Sequence, residues 1–371
     1  MTIMQLLSAL NGQVAIVERH GTLDRSVSSV TDDSRAVATG SLFVAVKGER
    51  VDGHRYVAQA IHSGAAAIVG QESVERESLP FIKVADSRKA LGLIGSRFHG
   101  DPSARLNMIG VTGTNGKTTT TYLCKALLEG MGHRVGLIGT VAYQIGSETI
   151  PASHTTPGAL ELQGLLAKMT DTHMDSVVME VSSHALAMDR TAGCEYDVAV
   201  FTNLTQDHLD YHRTMEEYLQ AKLRLFTQLG QGKKTGQRAV VNMDDPRGPY
   251  VRAACRVPVW GFGMKGRADL QAENVRLSMN GSTFSAATPA GVFTVESPLV
   301  GEHNVYNLLG AIGVALHAGA TCDQVRGAVA SLGNVPGRFE RVSAGQDFTV
   351  VGEYAHTEDA LVRLVTAAQP L

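Results

Sequence analysis

The sequence predicts an α/β protein built on a mostly parallel sheet with helices on both faces. Three observations predict it. Short apolar runs recur at 108–111, 135–138, 176–181, 198–202 and 239–242, separated by helix-like stretches. Strands apolar along their whole length belong to a sheet covered on both faces. A glycine-rich turn, Gly113-Thr114-Asn115-Gly116-Lys117-Thr118, joins the first of these runs to a helix-like run at 119–131. Upstream, residues 1–102 alternate strand and helix on a smaller scale.

Taken in order, the first part carries strands at 41–46, 66–69 and 81–84, with helices at 55–63 and 87–98. Gly100-Asp101-Pro102-Ser103 is a turn-rich boundary. The second part, 103–336, holds the parallel strands and a helix at 214–226. A β-rich insert follows at 257–300, where Gly, Ser and Thr alternate with apolar residues, and helices return at 304–318 and 322–331. Asn334-Val335-Pro336-Gly337 marks a second boundary. The third part, 337–371, offers one strand at 348–351 and one helix at 359–368, too little to bury a core of its own.

Composition narrows the function classes. A hydrophobic fraction of 44% and a charged fraction of 19% are those of a soluble globular protein. A net charge of −3 gives no electrostatic footprint for nucleic acid. Cys124, Cys194, Cys255 and Cys322 lie far apart, so they read as reduced thiols and not as a disulfide frame or zinc site. Residues 1–10 lack the basic and apolar regions of a signal peptide, and no run is long enough for a membrane span. The expectation is a cytoplasmic protein.

The chemistry concentrates at the strand ends. A turn between a parallel strand and a helix offers backbone N–H groups and the positive end of the helix dipole to a phosphate. Lys117 adds a cation for the outer phosphates, and Thr118 places a hydroxyl where Mg²⁺ sits in such loops. Val111 stands where the strict phosphate-loop pattern has glycine, so the loop is a variant. Glu180, at the end of another apolar run, is placed to hold Mg²⁺, although an acid there also caps helices. His184 reads equally as ligand or structural histidine. Asp207 and His208, in the polar run 202–212, follow a third strand toward the same sheet edge, where ligands of open α/β sheets bind. Lys222 by itself reads as a surface lysine. Thr155 and Thr156, before Pro157, read either as an anion site or as an ordinary helix cap.

Together, the phosphate loop, Glu180-Val181-Ser182-Ser183-His184, the 202–212 run and His303-Asn304-Val305-Tyr306-Asn307 resemble the Mur ligases. Asp32-Asp33-Ser34-Arg35 and His154-Thr155-Thr156-Pro157 are similar to the type that makes UDP-N-acetylmuramoyl-tripeptide. The resemblance implies an N-terminal α/β domain for the UDP substrate, a central phosphate-loop domain for ATP, and a C-terminal Rossmann-like domain of which almost all is missing here. It implies an ADP-forming amide ligase joining a diamino acid to UDP-N-acetylmuramoyl-L-alanyl-D-glutamate through an acyl phosphate, in a monomer. Gly113, Thr114, Asn115, Gly116, Lys117, Thr118 and Thr119 would bind ATP, with Asn304 near the adenine and Arg338 near the phosphates. Thr118, Glu180, His208 and Lys222 would form the Mg²⁺ site, Lys222 as its carbamate (N6-carboxylysine). Asp32, Ser34, Glu49, Arg50, Val51, Thr155, Thr156, Ser182 and Arg190 would contact the UDP-muramoyl substrate. Met188 departs from the amide side chain of many relatives, and Glu353 and Glu358 depart from the family's Asp and Pro. With the third domain so reduced, amide formation is expected to be impaired. Two alternatives stay open: a folylpolyglutamate-synthetase-like ligase, which shares the variant loop, and a non-catalytic module binding ATP and the UDP-muramoyl ligand. A guanine-reading Asn-Lys-x-Asp run does not occur, which argues against a regulatory GTPase.

Overall fold

The parallel strands assemble because their apolar residues alternate between two covered faces. The computed structural model describes residues 1–48, 51–73, 79–278, 280–342, 345–346, 348, 350–355, 361–362 and 364–365. The chain divides into two units: 1–105 with 157–171 and 185–194, and the remainder.

In the first unit a five-stranded sheet runs in the order Ile16–His20, Phe81–Val84, Ala67–Gly70, Ser41–Val44, Ser29–Thr31. Only the Ile16–His20 strand is antiparallel to its neighbour. Leu42, Val44, Ala67, Val69, Ile82 and Val84 face one core, which the helix Ser87–Phe98 completes through Ala90, Leu91 and Ile94. Phe43, Ile68 and Phe81 face the other, against Val57 and Ala60 of the helix Val57–His62. The helix Ala159–Asp171 joins this unit, although the sequence places it in the central region, because Ala159 and Leu160 pack into the first core.

The second unit holds an eleven-stranded sheet. Seven parallel strands lie in the order Leu270–Ser278, Val259–Gly263, Arg238–Asn242, Val198–Phe201, Asn107–Thr112, Ser176–Glu180, Val135–Ile138. The hairpin Ala142–Ile145 and Glu148–Pro151 extends one edge in antiparallel fashion. Gly281–Thr288 and Gly291–Ser297 extend the other. The expected β-rich insert is therefore the end of the main sheet. Phe284, Ala286, Phe293 and Val295 share one core with Ile109, Val111, Val200 and Val240. The helices Lys117–Gly130, Glu302–His317 and Cys322–Ala330 bury their apolar faces in that core. On the opposite face, Leu225 of the helix Met215–Gln228 lies near Gly110. The described part of 337–371 is grouped with this unit and forms the two-stranded ladder Glu340–Val342 with Val350–Gly352. The expected helix at 359–368 falls mostly outside the described residues. All four cysteines are free thiols. Among the described residues no helix is long and apolar enough to cross a membrane.

Candidate active site

The connections reverse direction across the sheet beside the strand Asn107–Thr112, so a crevice opens at its carboxyl end. The loop that follows starts its helix at Lys117. Gly116 sits at φ 86°, and a Cβ there would strike Asn307 Oδ1. The loop backbone is held by the end of the neighbouring strand. Asn203 Oδ1 accepts from Asn115 N at 2.9 Å and Asn203 Nδ2 donates to Asn115 O at 3.0 Å. Thr202 Oγ1 donates to the same carbonyl at 2.7 Å. This bracing fixes the loop that leads into the helix, whose first-turn N–H groups have no intrahelical partner and suit an anion.

Two lysines converge on one carbonyl. Lys117 Nζ donates to Gly113 O at 3.0 Å and to Thr114 O at 2.8 Å, and Lys222 Nζ donates to Gly113 O at 2.8 Å. Lys222 is 1% exposed and lies over the Tyr218 ring at 4.4 Å, which corrects its reading as a surface lysine. The helix Met215–Gln228 turns it inward on the same face as Tyr218, Leu225 and Phe226. Burial pushes the Lys222 ammonium well below its usual pKa; Lys117 adds to the shift and Asp207 opposes it. Burial also lowers Lys117, with the charge of Glu180 opposing. Glu180 is 1% exposed. Its Oε1 accepts from Thr140 N at 2.8 Å and its Oε2 from Thr140 Oγ1 at 3.1 Å, so it does not cap the following helix.

A histidine cluster borders the lysines. His208 stands at φ 52°, its ring 4.8 Å from His184 and 6.0 Å from Tyr218, with Asp207 Oδ2 at 3.4 Å from its Nε2. Burial lowers its pKa, Asp207 opposes, and His184 and the two lysines lower it further. His212 is buried against Tyr218 and His184, and its Nε2 lies 2.9 Å from Ser183 Oγ. Burial, then His184, Lys222 and His208, push it down to about 4.

Thr155, Thr156 and Ser182 meet at Glu180. Thr155 Oγ1 lies 3.0 Å from Thr140 Oγ1, Thr156 Oγ1 donates to Glu180 O at 2.8 Å, and Ser182 N donates to Thr156 Oγ1 at 3.0 Å. On the other side of the loop a cavity of about 460 Å³ is lined by Asn115, Gly116, Asn304, Tyr306, Asn307 and Arg338, among others. Asn304 is buried; it donates to Val300 O at 2.8 Å and accepts from Asn307 Nδ2 at 3.0 Å. Arg338 Nη2 donates to Thr118 Oγ1 at 3.0 Å, and Glu353 Oε1 lies 3.7 Å from its Nη1.

The remaining expected residues lie in the first unit. Ser34 is buried and donates to Gln59 Oε1 at 3.1 Å, whereas Asp32 and Val51 are exposed. Arg190 is half-buried, its Nη2 3.4 Å from the Met188 sulfur. Glu49 and Arg50 lie outside the described residues.

Comparison with known proteins decides the family. The pattern described as "Mur ligase middle domain" matches residues 111–315, and "Mur ligase family, catalytic domain" matches 26–99. A Geobacillus kaustophilus protein named UDP-N-acetylmuramoyl-L-alanyl-D-glutamate--2,6-diaminopimelate ligase is 44% identical over 370 residues, 99% of this chain and 75% of the relative. The chain belongs to the Mur ligase family. A Listeria monocytogenes protein of the same name is 41% identical, covering 98% of this chain and 73% of the relative. Among solved structures, one titled for the same ligase superposes with TM-score 0.84 at 28% identity, covering 100% of this chain and 74% of the other. A Mycobacterium tuberculosis folylpolyglutamate synthase shares the fold at TM-score 0.61 and 20% identity, over 75% of this chain.

Within this Mur ligase fold, several residues at the site carried no sequence signal. Thr140 follows a strand whose apolar run ends two residues earlier, and nothing local marks it as a carboxylate partner. Tyr218 looks like a core residue in the sequence, and His212, although inside the 202–212 run, is not marked there as a partner of Ser183; only the fold brings them to Lys222 and Ser183. Asn203 and Asn307 sit inside the quoted motifs, but Asn203 braces the loop and Asn307 accepts from Thr120 Oγ1 of the following helix.

Proposed function

We propose that this Mur ligase is an ATP-dependent amide ligase of peptidoglycan precursor synthesis, adding 2,6-diaminopimelate to UDP-N-acetylmuramoyl-L-alanyl-D-glutamate in the cytoplasm. The observation that carries it is the convergence of Lys117 and Lys222 on Gly113 O, within reach of the charge of Glu180, at the end of a phosphate loop. The loop N–H groups, Thr114, Asn115 and Thr119 cradle the nucleotide phosphates, Lys117 meets the outer ones, and Arg338 approaches them from the cavity side. Asn304 and its cavity suit the base.

The donor set fits magnesium: Thr118 and Glu180 offer the hard oxygen atoms it prefers, with His208 close by. When bound, the ion neutralises charge on the transferring phosphoryl group. Lys222, whose neutral form burial favours, is suited to carbamylation: its nitrogen attacks CO₂ and loses a proton, leaving an anion where a cation stood. Thr155, Thr156 and Ser182 contact the UDP-muramoyl substrate, as do Asp32, Ser34, Arg190 and the 49–51 segment. A substrate carboxylate oxygen attacks the γ-phosphorus and ADP leaves. The amine then attacks the acyl carbon, loses a proton, and phosphate leaves. Fixed positive groups around the transferring phosphoryl group are the protein's main lever on this barrier.

The 41% and 44% identities to diaminopimelate ligases favour that amino acid over lysine, and coverage of the whole chain by the ligase structure favours this reading over folylpolyglutamate synthesis. Incubation with ATP, Mg²⁺, the UDP-dipeptide and diaminopimelate is expected to give ADP formation that depends on the UDP-dipeptide, followed by chromatography. Lys117→Ala is expected to weaken ATP binding about ten- to hundred-fold, the loss of a charge-assisted contact. ATP affinity equal in wild type and Lys117→Ala, with no UDP-dipeptide dependence of ADP formation, would falsify the reading.

A further inference from the structure

We propose that Thr140 is a positioning residue that fixes the Glu180 carboxylate for the metal-nucleotide complex; this rests on the ligase reading above. The strands Val135–Ile138 and Ser176–Glu180 run parallel with Ile138 beside Met179, so Gly139 and Thr140 lie next to Glu180 as both strands end. The first of these two residues makes room: a Cβ on Gly139 would run into Glu180 Oε1. The second fills both oxygens, its N–H donating to Oε1 at 2.8 Å and its hydroxyl to Oε2 at 3.1 Å. The backbone of Glu180 is held as well, since its carbonyl accepts from Thr156 Oγ1. A fully buried carboxylate gripped at both oxygens loses its rotational freedom, and the remaining lone pairs keep a set direction.

The same hydroxyl reaches further. Thr140 Oγ1 has one proton, which goes to Glu180, so it accepts from Thr155 Oγ1 at 3.0 Å. A short relay, Thr155 to Thr140 to Glu180, thus links a residue of the proposed UDP-muramoyl set to the metal-side carboxylate. Outer partners of this kind change metal affinity by about 10- to 100-fold when removed.

The test is Mn²⁺ binding to the protein with adenylyl imidodiphosphate, followed by electron paramagnetic resonance. Thr140→Val keeps the backbone N–H and the branched shape but removes the hydroxyl; it is expected to lower Mn²⁺ affinity about 10- to 100-fold. Thr140→Ser is expected to restore it, and affinity for the analogue in EDTA is expected to stay unchanged. Thr140→Ala, which makes no demand on branching, replaces the valine variant if that fails to fold. Mn²⁺ affinity of the hydroxyl-less variant equal to wild type, or an equal loss of metal-free nucleotide affinity, overturns the proposal. Wild-type protein that does not bind the Mn²⁺–nucleotide pair overturns the ligase reading with it; wild-type binding with an unchanged variant overturns the role of Thr140 alone.

Discussion

At the scale of residues, the site is a set of buried polar groups whose charges are set by one another. His212 shows this most directly. It is 4% exposed, and burial first, then the charges of His184, Lys222 and His208, push its pKa down to about 4, with Asp210 opposing. The unfolded chain holds this histidine near the ordinary value of about 6.5. Between those two values the unfolded chain binds more protons than the folded one. The contribution of His212 is therefore complete above the unfolded pKa and is lost as pH falls toward the folded one. His212→Gln keeps a polar end near Ser183 but does not titrate. It is expected to flatten the fall in urea midpoint between about pH 7 and about pH 5. His208, shifted in the same direction, keeps part of the slope. An identical slope in wild type and variant would show that His212 carries no stability through protonation. Lys222 teaches the complementary lesson about sequence. A lysine on a helix reads the same whether it faces water or a core, and only tertiary packing decided that this one lies over Tyr218 with its ammonium on Gly113 O.

At the scale of elements, strands and helices with strong periodicity were legible, and those decided by partners were not. Helix Ser87–Phe98 and strands Phe81–Val84 and Val135–Ile138 match their sequence reading residue for residue, because caps and apolar runs bound them locally. Asp86, for example, accepts from Lys89 N and starts its helix at the expected place. The hairpin Ala142–Ile145 and Glu148–Pro151 was not legible: its second strand is mostly exposed and its first is only four residues long with Gln144 breaking the apolar run, so pairing defines it. The helix that carries Lys222 has a local start signal of its own. Thr214 Oγ1 accepts from Glu217 N at 3.1 Å, and Glu216 and Glu217 occupy the positive first turn. Thr214→Ala is expected to cost about 1 kcal/mol in chemical denaturation. A change within experimental error would mean that burial of Tyr218, Leu225 and Phe226 holds the helix start without its cap.

At the scale of the whole molecule, each of the two units builds its own sheet and its own cores. Separate cores permit separate opening, and a ligand slows only those openings that break its site. The phosphate loop, the 202–205 bracing segment, Asn304 and Asn307 all lie in the second unit, whereas Ser34 and Arg190 lie in the first and Thr155, Thr156 and Ser182 in the second. The two ligands should therefore leave different footprints in amide hydrogen exchange. At about a hundred times its Kd a ligand adds about 2.7 kcal/mol to the bound unit, about a hundredfold in the rate of openings that release it. ADP with Mg²⁺ is expected to slow exchange in 110–120, 202–206 and 303–308 while the strands Ser41–Val44, Ala67–Gly70 and Phe81–Val84 keep their rates. UDP-N-acetylmuramoyl-L-alanyl-D-glutamate is expected to slow segments in both units, 32–36 in the first and 154–157 with 180–184 in the second. Mass spectrometry of the exchanged peptides reads both patterns. Equal slowing of the first-unit strands by ADP would mean that the two cores open as one cooperative body, whatever their separate packing. A UDP-dipeptide footprint confined to one unit would remove either Ser34 and Arg190 or the threonine pair from the proposed substrate site.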